Sequence, residues 1–267
     1  MLRGFHTVAS GMYAQQRRQE TLANNITNAQ TPGYKADDAA LRAFPEMLTY
    51  HMGSQTLPTT RQFKLPIQQP IGSFNTGVYV QETIPNHQQG DIRETNLSTD
   101  LALVNGTLLD ETGSLFFTVQ NEAGDVRYTR NGNFTVDQAG FLTTSEGYYV
   151  LDNNGNSIQT GGMDFSVSEN GVLEANGIAA QLGVAYAANV NELVKEGNDL
   201  FQGDAGEVPA GTTFSIQQGA LERSNVDSLQ MMTEMMESYR LFETNQRVLK
   251  AYDESMGKAV SDIGRIG

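Results

Sequence analysis

The sequence predicts an α+β protein in which a long helix at each end of the chain flanks an inserted antiparallel β-domain. Apolar residues recur at helical spacing in residues 1–28 and again in residues 222–264. Between them, in residues 76–221, apolar residues alternate with period two and are separated by turns rich in asparagine and glycine. The simplest way to bury both helical stripes is to pair the two helices antiparallel, as a coiled coil.

The predicted N-terminal helix has only a thin apolar stripe. Its apolar members are Leu2, Phe5, Ala9, Met12, Leu22 and Ile26. The intervening residues 15–20 are too polar to lie in a globular core. A helix of this kind is marginal alone in water, so we expect its stripe to pack against the C-terminal helix of the same chain and of adjacent copies.

Residues 24–35 are expected to end this helix in a fixed turn. The residue before a proline avoids the helical region, and glycine permits a sharp change of direction. Thr31, Pro32 and Gly33 therefore account for the turn, and Tyr34 follows it directly. This stretch is predicted to be the junction between the N-terminal helix and the body of the chain.

Three asparagines lie within five positions of this stretch, which is more than a turn needs. A buried Asn or Gln in a coiled-coil seam sets the register at some cost in stability. The candidates for that role are Asn24, Asn25, Asn28 and, on the C-terminal helix, Gln246. The alternative is a polar helix end with exposed side chains.

Residues 36–75 predict an extended linker or arm. A short helix is expected over residues 39–48, interrupted at Pro45. The following residues 53–73 are rich in Gln, Thr, Pro and Gly, and the first proline among them is Pro58. A free linker and an arm that becomes ordered on a neighbouring molecule both fit this composition.

Residues 76–221 predict short antiparallel strands that form a small barrel or sandwich. The strongest alternation covers residues 178–186, which reads as one strand. Turn sequences with Asn-Gly, such as residues 131–132 and 176–177, separate the strands at close intervals. The domain boundaries expected from the sequence are therefore residues 1–35, 36–75, 76–221 and 222–267.

The predicted C-terminal helix begins with Ser224 or Asn225 as its N-cap and Asp227 in its first turn. Its apolar residues are Met232, Met235, Tyr239, Phe242, Leu249, Met256, Val260 and Ile263. Their 3-4 spacing over roughly 40 residues corresponds to a rod of about 60 Å. This length and spacing favour coiled-coil packing.

Composition excludes several classes of function. The net charge of −14 with no basic stripe argues against nucleic-acid binding, although residues 1–35 alone carry a net +3. Cysteine is absent, which excludes disulfides and thiolate sites. No secretory signal peptide and no apolar run of 18 residues is present, so we expect no membrane insertion.

Catalytic and metal-binding patterns are also missing. His6, His51 and His87 are scattered, and none lies at metal-ligand spacing with a carboxylate. No nucleophile elbow, phosphate loop or dinucleotide fingerprint occurs. We therefore expect no cofactor, no metal and no enzymatic activity; the enzymatic alternative, an acidic hydrolase, lacks a visible pair of catalytic carboxylates.

Several motifs in order resemble those of bacterial flagellar basal-body rod and hook proteins. Residues 24–35 (NNITNAQTPGYK) resemble the N-terminal signature, and residues 218–227 (QGALERSNVD) are similar to the entry into the C-terminal helix. The other similar segments are residues 239–246 (YRLFETNQ), 128–134 (YTRNGNF), 142–148 (LTTSEGY) and Leu193 with 197–201 (GNDLF). The length favours a rod subunit over a hook subunit. Residues 105–117 stretch the family's usual Gly-Phe-Phe strand start, which leaves the distal and proximal rod branches open.

The resemblance implies a structural subunit of the basal-body rod, exported from the cytoplasm by the flagellar type III apparatus without a cleaved signal. It implies helical polymerisation with itself and with other rod and hook axial proteins, the terminal helices forming an inner tube and the β-domain packing outside. The residues expected to carry assembly are Leu2, Phe5, Met12, Leu22, Asn24, Asn25, Ile26, Asn28, Thr31, Pro32, Gly33 and Tyr34, with Asn225, Met232, Met235, Tyr239, Phe242, Gln246 and Leu249. The alternatives are a hook-type or hook-junction axial subunit, or a soluble adhesin-like β binding module.

Overall fold

The computed structural model describes residues 2–57, 63–110, 112–121, 123–197 and 199–265. Helix α1 spans Leu2–Thr27 and helix α2 spans Ser228–Gly264, with a strand-rich middle between them, which confirms the α+β class. Within the described residues, neither helix carries an apolar stretch long enough to cross a membrane.

The strands follow one another closely along the middle of the chain. They are β1 (Asp37–Ala43), β2 (Met47–Leu57), β3 (Phe63–Phe74), β4 (Val78–Pro85), β5 (Ile92–Glu94), β6 (Leu101–Asn105), β7 (Ser114–Gln120), β8 (Val126–Thr129), β9 (Phe134–Val136), β10 (Leu142–Thr144), β11 (Tyr149–Val150), β12 (Ser166–Val167), β13 (Val172–Ala175), β14 (Ile178–Gln181), β15 (Val184–Ala187), β16 (Val194–Glu196), β17 (Leu200–Gln202), β18 (Gly206–Glu207), β19 (Phe214–Gln218) and β20 (Ala220–Glu222).

The chain divides into two compact units. The first, which we call the helical unit, comprises Met1–Ala23, Ala39–Thr83 and Met232–Gly267. The second, which we call the β-unit, comprises Asn24–Asp38 and Ile84–Met231. Each unit therefore joins segments that are far apart in the sequence.

In the helical unit, β2 and β3 form a long antiparallel hairpin and β1 pairs with β4. The short helix predicted for residues 39–48 is wrong, because β1 and β2 occupy these positions. The backbone N–H of Phe44 donates to the carbonyl of Gly77 at 3.0 Å, so a partner strand about thirty positions further along the chain supplies the hydrogen bonds that a helix would have made internally. Pro58, also part of the expected arm, lies outside the described residues.

In the β-unit, the main sheet follows the order β16-β17-β8-β7-β11-β10-β9, with β15 pairing both β7 and β18. Its neighbouring strands pair antiparallel, as predicted. Closure of the sheet into a barrel or sandwich stays a prediction. The core lies against these strands, and its fully buried side chains include Leu101, Leu115, Phe117, Phe134 and Leu142.

Residues 178–186 do not form one strand, which corrects the sequence prediction. They form β14 and β15, which belong to different sheets and are separated at Gly183. The carbonyl of Gly183 accepts hydrogen bonds from both the backbone N–H and the hydroxyl of Thr118, each at 3.0 Å. A Cβ at Gly183 would collide with the Thr118 hydroxyl. Glycine therefore lets the backbone at position 183 approach β7 closely, and this approach separates β14 from β15.

Candidate functional site

The junction after α1 is organised around the buried amide of Asn25, which is 0% exposed. Its Nδ2 donates to the carbonyl of Asp37 at 2.8 Å, and its Oδ1 accepts from the Asp37 backbone N–H at 2.9 Å. The hydroxyl of Tyr34 donates to the same Oδ1 at 3.1 Å. A single side chain therefore holds the two ends of the turn at residues 25 and 37 together.

Asn28 stabilises the last turn of the same helix locally. Its Nδ2 donates to the carbonyl and to Oδ1 of Asn24, at 3.0 and 2.7 Å. Its Oδ1 accepts from the hydroxyl of Thr31 at 3.3 Å. Pro32 and Ile26 are half-buried, whereas Asn24 is exposed. Asn25 and Asn28 are thus buried. The partners of Asn28 belong to the junction, whereas Nδ2 of Asn25 also lies 3.8 Å from Sδ of Met231 on α2. A role of these asparagines in setting the register of a coiled coil stays a prediction.

Gly33 lies directly against the backbone of other chain segments. Its φ of +70° is the left-handed conformation that favours glycine. Its N–H donates to the carbonyl of Glu222 at 2.9 Å, and a Cβ at this position would collide with the backbone of Arg130 and Asn131. A side chain at position 33 would therefore separate the turn from the two segments it rests on.

Three buried charged side chains form one ionic network beside this turn. The Glu222 carboxylate binds Lys35 Nζ at 2.7 Å through one oxygen and Arg130 Nε at 2.6 Å through the other. Lys35, Arg130 and Glu222 are 1, 1 and 2% exposed. Arg130 also donates to the carbonyls of Leu115 and Leu103, at 2.6 and 2.8 Å. The charges are thus paired and hydrogen-bonded, as burial requires.

The electrostatics of this network follow from its burial. Burial lowers the pKa of Lys35, against the attraction of the Glu222 carboxylate. Burial by itself would raise the pKa of Glu222, but the charges of Arg130 and Lys35 and their hydrogen bonds hold that pKa below its usual value. Glu222 is therefore ionised at neutral pH.

Lys195 extends the same cluster towards Tyr34. Its Nζ binds Asp37 Oδ2 at 2.9 Å, donates to the carbonyl of Lys35 at 3.1 Å and lies 4.0 Å from the centre of the Tyr34 ring. Burial, together with the nearby Asp37 carboxylate, raises the pKa of Tyr34. The Tyr34 hydroxyl therefore stays protonated and available as a donor to Asn25.

The entry into α2 is fixed by side chains of the C-terminal motif. Asn225 accepts from the backbone N–H of Ala36 at 2.8 Å and donates to the carbonyl of Asn86 at 2.7 Å. The prediction of Ser224 or Asn225 as N-cap is wrong. Asp227 takes that position, because its Oδ1 accepts from the backbone N–H groups at residues 229 and 230, at 2.9 and 3.2 Å.

Within the helical unit, α1 and α2 contact each other along one seam. Gln15 accepts from the hydroxyl of Ser238 at 2.8 Å, and Arg18 forms an ion pair with Glu234 at 3.1 Å. In these contacts, residue numbers rise along α1 as they fall along α2. Pairing of the two helices as an antiparallel coiled coil stays a prediction. Buried or half-buried positions along this face of α2 include Glu234, Met235, Ser238, Phe242, Asn245, Leu249, Tyr252, Met256 and Ala259.

Two glycines of α1 create space for larger side chains of α2. A Cβ at Gly4 would lie 2.6 Å from the hydroxyl of Tyr252, and a Cβ at Gly11 would lie 3.2 Å from Nδ2 of Asn245. The glycines stand seven residues apart, as do Asn245 and Tyr252, which is the period of a heptad seam. Sequence reasoning missed this pair, although the spacing is visible in the sequence.

The seam differs from the expected one at several positions. Met232 and Tyr239 are 51 and 61% exposed, so they lie outside the seam within one chain. Gln246 is also exposed, and the neighbouring Asn245 faces α1 instead. Contact of these residues with adjacent copies stays a prediction.

The remaining residues expected to carry assembly on the two helices are mostly buried or half-buried. Met235, Phe242 and Leu249 are half-buried on α2. On α1, Phe5 and Met12 are half-buried and Leu22 is 5% exposed, while the side chain of Leu2 lies outside the described residues. The expected helical face is therefore partly covered in a single chain.

The chemistry available at these positions is that of contact and packing. Across the described residues, no three His, Asp or Glu side chains converge as metal ligands. Lys35, Arg130 and Glu222 were missed as a cluster by sequence reasoning, although each lies inside one of the motifs that carry the resemblance. A buried ionic network of this kind positions three chain segments relative to one another.

Comparison with known proteins identifies similarity along the chain. A family model described as flagella basal body rod protein matches residues 5–35, one for the flagellar hook protein FlgE/F/G D1 domain matches residues 112–175, and one for the flagellar basal body rod FlgEFG protein C-terminal region matches residues 217–262. Each matched region contributes one member of the network of Lys35, Arg130 and Glu222.

Curated relatives are similar over almost their full length. The flagellar hook-basal body complex protein FlhO of Bacillus subtilis is 41% identical over 278 residues, which covers 100% of each chain. The flagellar basal-body rod protein FlgG of Borreliella burgdorferi is 30% identical over 274 residues, covering 97% of this chain and 98% of the relative. The flagellar basal-body rod protein FlgF of Caulobacter vibrioides is 29% identical over 255 residues, covering 94% of each chain.

Proposed function

The chain belongs to the bacterial flagellar rod and hook family, and on that premise we propose that it is a subunit of the basal-body rod that polymerises helically through its terminal helices. Its role is structural and lies in the axial part of the flagellum. The rod would transmit torque mechanically while its paired helices line an export channel.

The observation that carries this proposal is the arrangement of the two chain ends. Helices α1 and α2 contact each other along a narrow seam, yet Met232, Met236 and Tyr239 of α2 are 51 to 61% exposed. Apolar side chains at helical spacing gain free energy when they are removed from water, at about 25 cal/mol per Å². Neighbouring copies in a helical polymer would supply that cover, so the helix pair is an antiparallel coiled coil completed by assembly.

The hairpin of β2 and β3 supports the same proposal. A two-stranded hairpin is marginally stable alone in water. Several of its large apolar side chains are exposed in the single chain, among them Met47 at 56%, Leu48 at 63% and Met52 at 81%. We infer that this hairpin is the expected arm and that it becomes covered by neighbouring axial subunits.

Assembly also defines the proposed partners. They are further copies of this chain, other rod and hook axial proteins, and the flagellar type III export apparatus that would deliver the subunit to the growing rod. Relatives named as hook-basal body complex and basal-body rod proteins support axial partners of this kind. A hook-type or hook-junction position is the alternative within the same family.

Deletion of the gene in the bacterium that encodes the chain tests the proposal. We expect loss of swimming and of complete basal bodies, with recovery by the full chain and no recovery by chains lacking residues 1–30 or 225–267. Labelling isolated hook-basal bodies with an antibody against the β-unit separates rod from hook positions. Complete, rotating flagella in the deletion strain would contradict an axial role.

A further inference from the structure

The helical unit has an apolar groove beside α1. Its volume is about 280 Å³, and its lining comes from one face of α1 and from the chain around β1 and β4. Its lining includes Ser10, Tyr13, Arg17, Phe44, Val78 and Tyr79. Tyr13 is 69% exposed at the mouth of the groove. A rigid tyrosine ring beside an open apolar pocket is a typical anchor of a protein interface.

The walls of this groove are held in place by contacts within the unit. The backbone N–H of Val78 donates to the hydroxyl of Ser10 at 3.4 Å, which ties β4 to α1. The rings of Phe44 and Tyr79 pack with their centroids 5.1 Å apart. The groove is therefore formed before any partner arrives, which reduces the entropy lost on binding.

The same unit has an apolar ridge on α2. Met232, Met236 and Tyr239 are spaced by four and three residues and are 51, 60 and 61% exposed. They span about 10 Å along the helix. Methionine adapts its shape to irregular pockets, so two methionines followed by a tyrosine suit a groove lined by aromatic rings.

Charges near the two surfaces are complementary. Arg17 lies at the groove with its side chain 71% exposed, and its ion pair with Glu20 at 2.8 Å is a surface pair that exchanges readily. Two exposed charged residues flank the ridge: Glu237 lies between Met236 and Tyr239 in the sequence, and Arg240 follows Tyr239. An arginine at the rim of one surface and a glutamate beside the other favour a defined register between them.

We propose that the ridge of one copy docks into the groove of the next copy, with Met236 against Tyr13 and Glu237 near Arg17. This proposal rests on the proposed function and assigns its contact surfaces. The groove and the ridge share no residue, so the contact is heterologous and can repeat from copy to copy. Such a contact generates an open helical filament when its rotation does not close a ring.

Cross-linking tests the contact directly, because the chain contains no cysteine. The full chain carrying Tyr13→Cys and Met236→Cys is produced in the deletion strain, and isolated basal bodies are oxidised and analysed without reductant. We expect a ladder of linked dimers, trimers and higher species. The matched control carries Tyr13→Cys and Val260→Cys, since Val260 is 71% exposed on the same helix about six turns beyond the ridge, and should give no ladder.

Failure of the contact and failure of the proposed function give different results. If the wild-type chain is absent from basal bodies, the proposed function fails. If the double-cysteine chain assembles into basal bodies of motile cells and no ladder forms, the proposed contact is overturned and the rod assignment stands.

If the double-cysteine chain does not assemble, a charge reversal tests the contact between ridge and groove instead. We expect Arg17→Glu to cause loss of swimming and the combination of Arg17→Glu with Glu237→Arg to restore it. The control combines Arg17→Glu with Asp253→Arg, because Asp253 is exposed on the same helix about four turns beyond the ridge. Equal swimming of the two combined variants would overturn the contact.

Discussion

Lys35 and Glu222 lie 187 positions apart in the chain and form an ion pair of 2.7 Å in which each side chain is 1% exposed. Arg130 binds the second carboxylate oxygen of Glu222 at 2.6 Å. The segment that leaves α1, the middle of the β-unit and the segment that leads to α2 therefore meet at one carboxylate. This network fixes where the chain enters and leaves the β-unit.

Replacing Glu222 with glutamine should strongly destabilise the β-unit. The substitution leaves Lys35 and Arg130 as two buried cations without their counter-charge, and breaking a buried pair in this way costs about 3–5 kcal/mol. The free energy of unfolding in urea, followed by tyrosine fluorescence, measures the effect. Glu243→Gln is the control, because its pair with Arg247 is exposed and should be worth at most about 1 kcal/mol. Equal losses in the two variants would contradict a structural role for the network.

Replacing Asn25 with aspartate should open the junction. A carboxylate cannot donate to the carbonyl of Asp37 as the amide does at 2.8 Å, and it brings a second negative charge beside Asp37. An unsatisfied buried polar group costs about 1–3 kcal/mol, and a charged one costs more. Asn24→Asp is the matched control, since its Oδ1 still accepts from Asn28. We expect the free energy of unfolding of the control to lie within about 0.5 kcal/mol of the wild-type value, as is usual for surface substitutions.

Stability should decrease as the pH falls from about 6.5 to about 4 because of His87. Burial, followed by the charges of Lys35, Lys195 and Arg130, lowers the pKa of His87 to about 4. In the unfolded chain its pKa is about 6.5, so the unfolded state binds a proton in this window that the folded state excludes. The loss attributable to this residue is about 3 kcal/mol at most, and it is complete near pH 4.

The variant His87→Leu isolates this contribution. Neither ring nitrogen of His87 has a hydrogen-bond partner among the described residues, and the ring packs against Phe116 and Phe201 at 6.1 and 5.3 Å between centroids. An apolar replacement should therefore keep the packing and reduce the pH dependence. Urea unfolding at pH 7, 5.5 and 4.5 measures it, with the exposed His51→Leu as control. If the free energy of unfolding of His87→Leu changes with pH as steeply as that of the wild type, groups other than His87 control stability between about pH 6.5 and about pH 4.

Replacing Gly11 with leucine should separate α1 from α2. The new side chain would meet Asn245 at the seam, and overpacking of this kind costs about 1–3 kcal/mol. Gly257→Leu in α2 is the matched control, because no atom lies within 4 Å of a Cβ there. Both changes gain the same helix propensity, which is about 1 kcal/mol, so their difference reports the seam. Thermal melts of helical circular dichroism should show a lower melting temperature for Gly11→Leu than for Gly257→Leu.

Sequence periodicity was sufficient to predict the helices and the strand-rich middle, because each depends on local spacing of apolar residues. It was not sufficient to assign the seam of α2. Met231 and Met232, like Met235 and Met236, are adjacent methionines, so two interleaved stripes of 3-4 spacing exist in the same segment. Only the contacts with α1 distinguish the stripe in the seam from the exposed ridge.

Long-range pairing explains the other differences. Residues 39–43 have the alanine content of a helix, yet they form β1 and pair with β4. Local helix and strand propensities cannot predict a pairing with a distant strand. Lys35, Arg130 and Glu222 each look like ordinary surface charges in the sequence. Their burial becomes visible only when three distant segments meet.

A cryo-electron microscopy reconstruction of isolated basal bodies would show whether this chain is a rod subunit. We expect this chain in the rod, with α1 and α2 paired antiparallel around the axial channel, Gly11 facing Asn245 and the arrangement repeated helically. A rod whose density is fully explained by other proteins, with this chain absent from it, would rule out the proposed function.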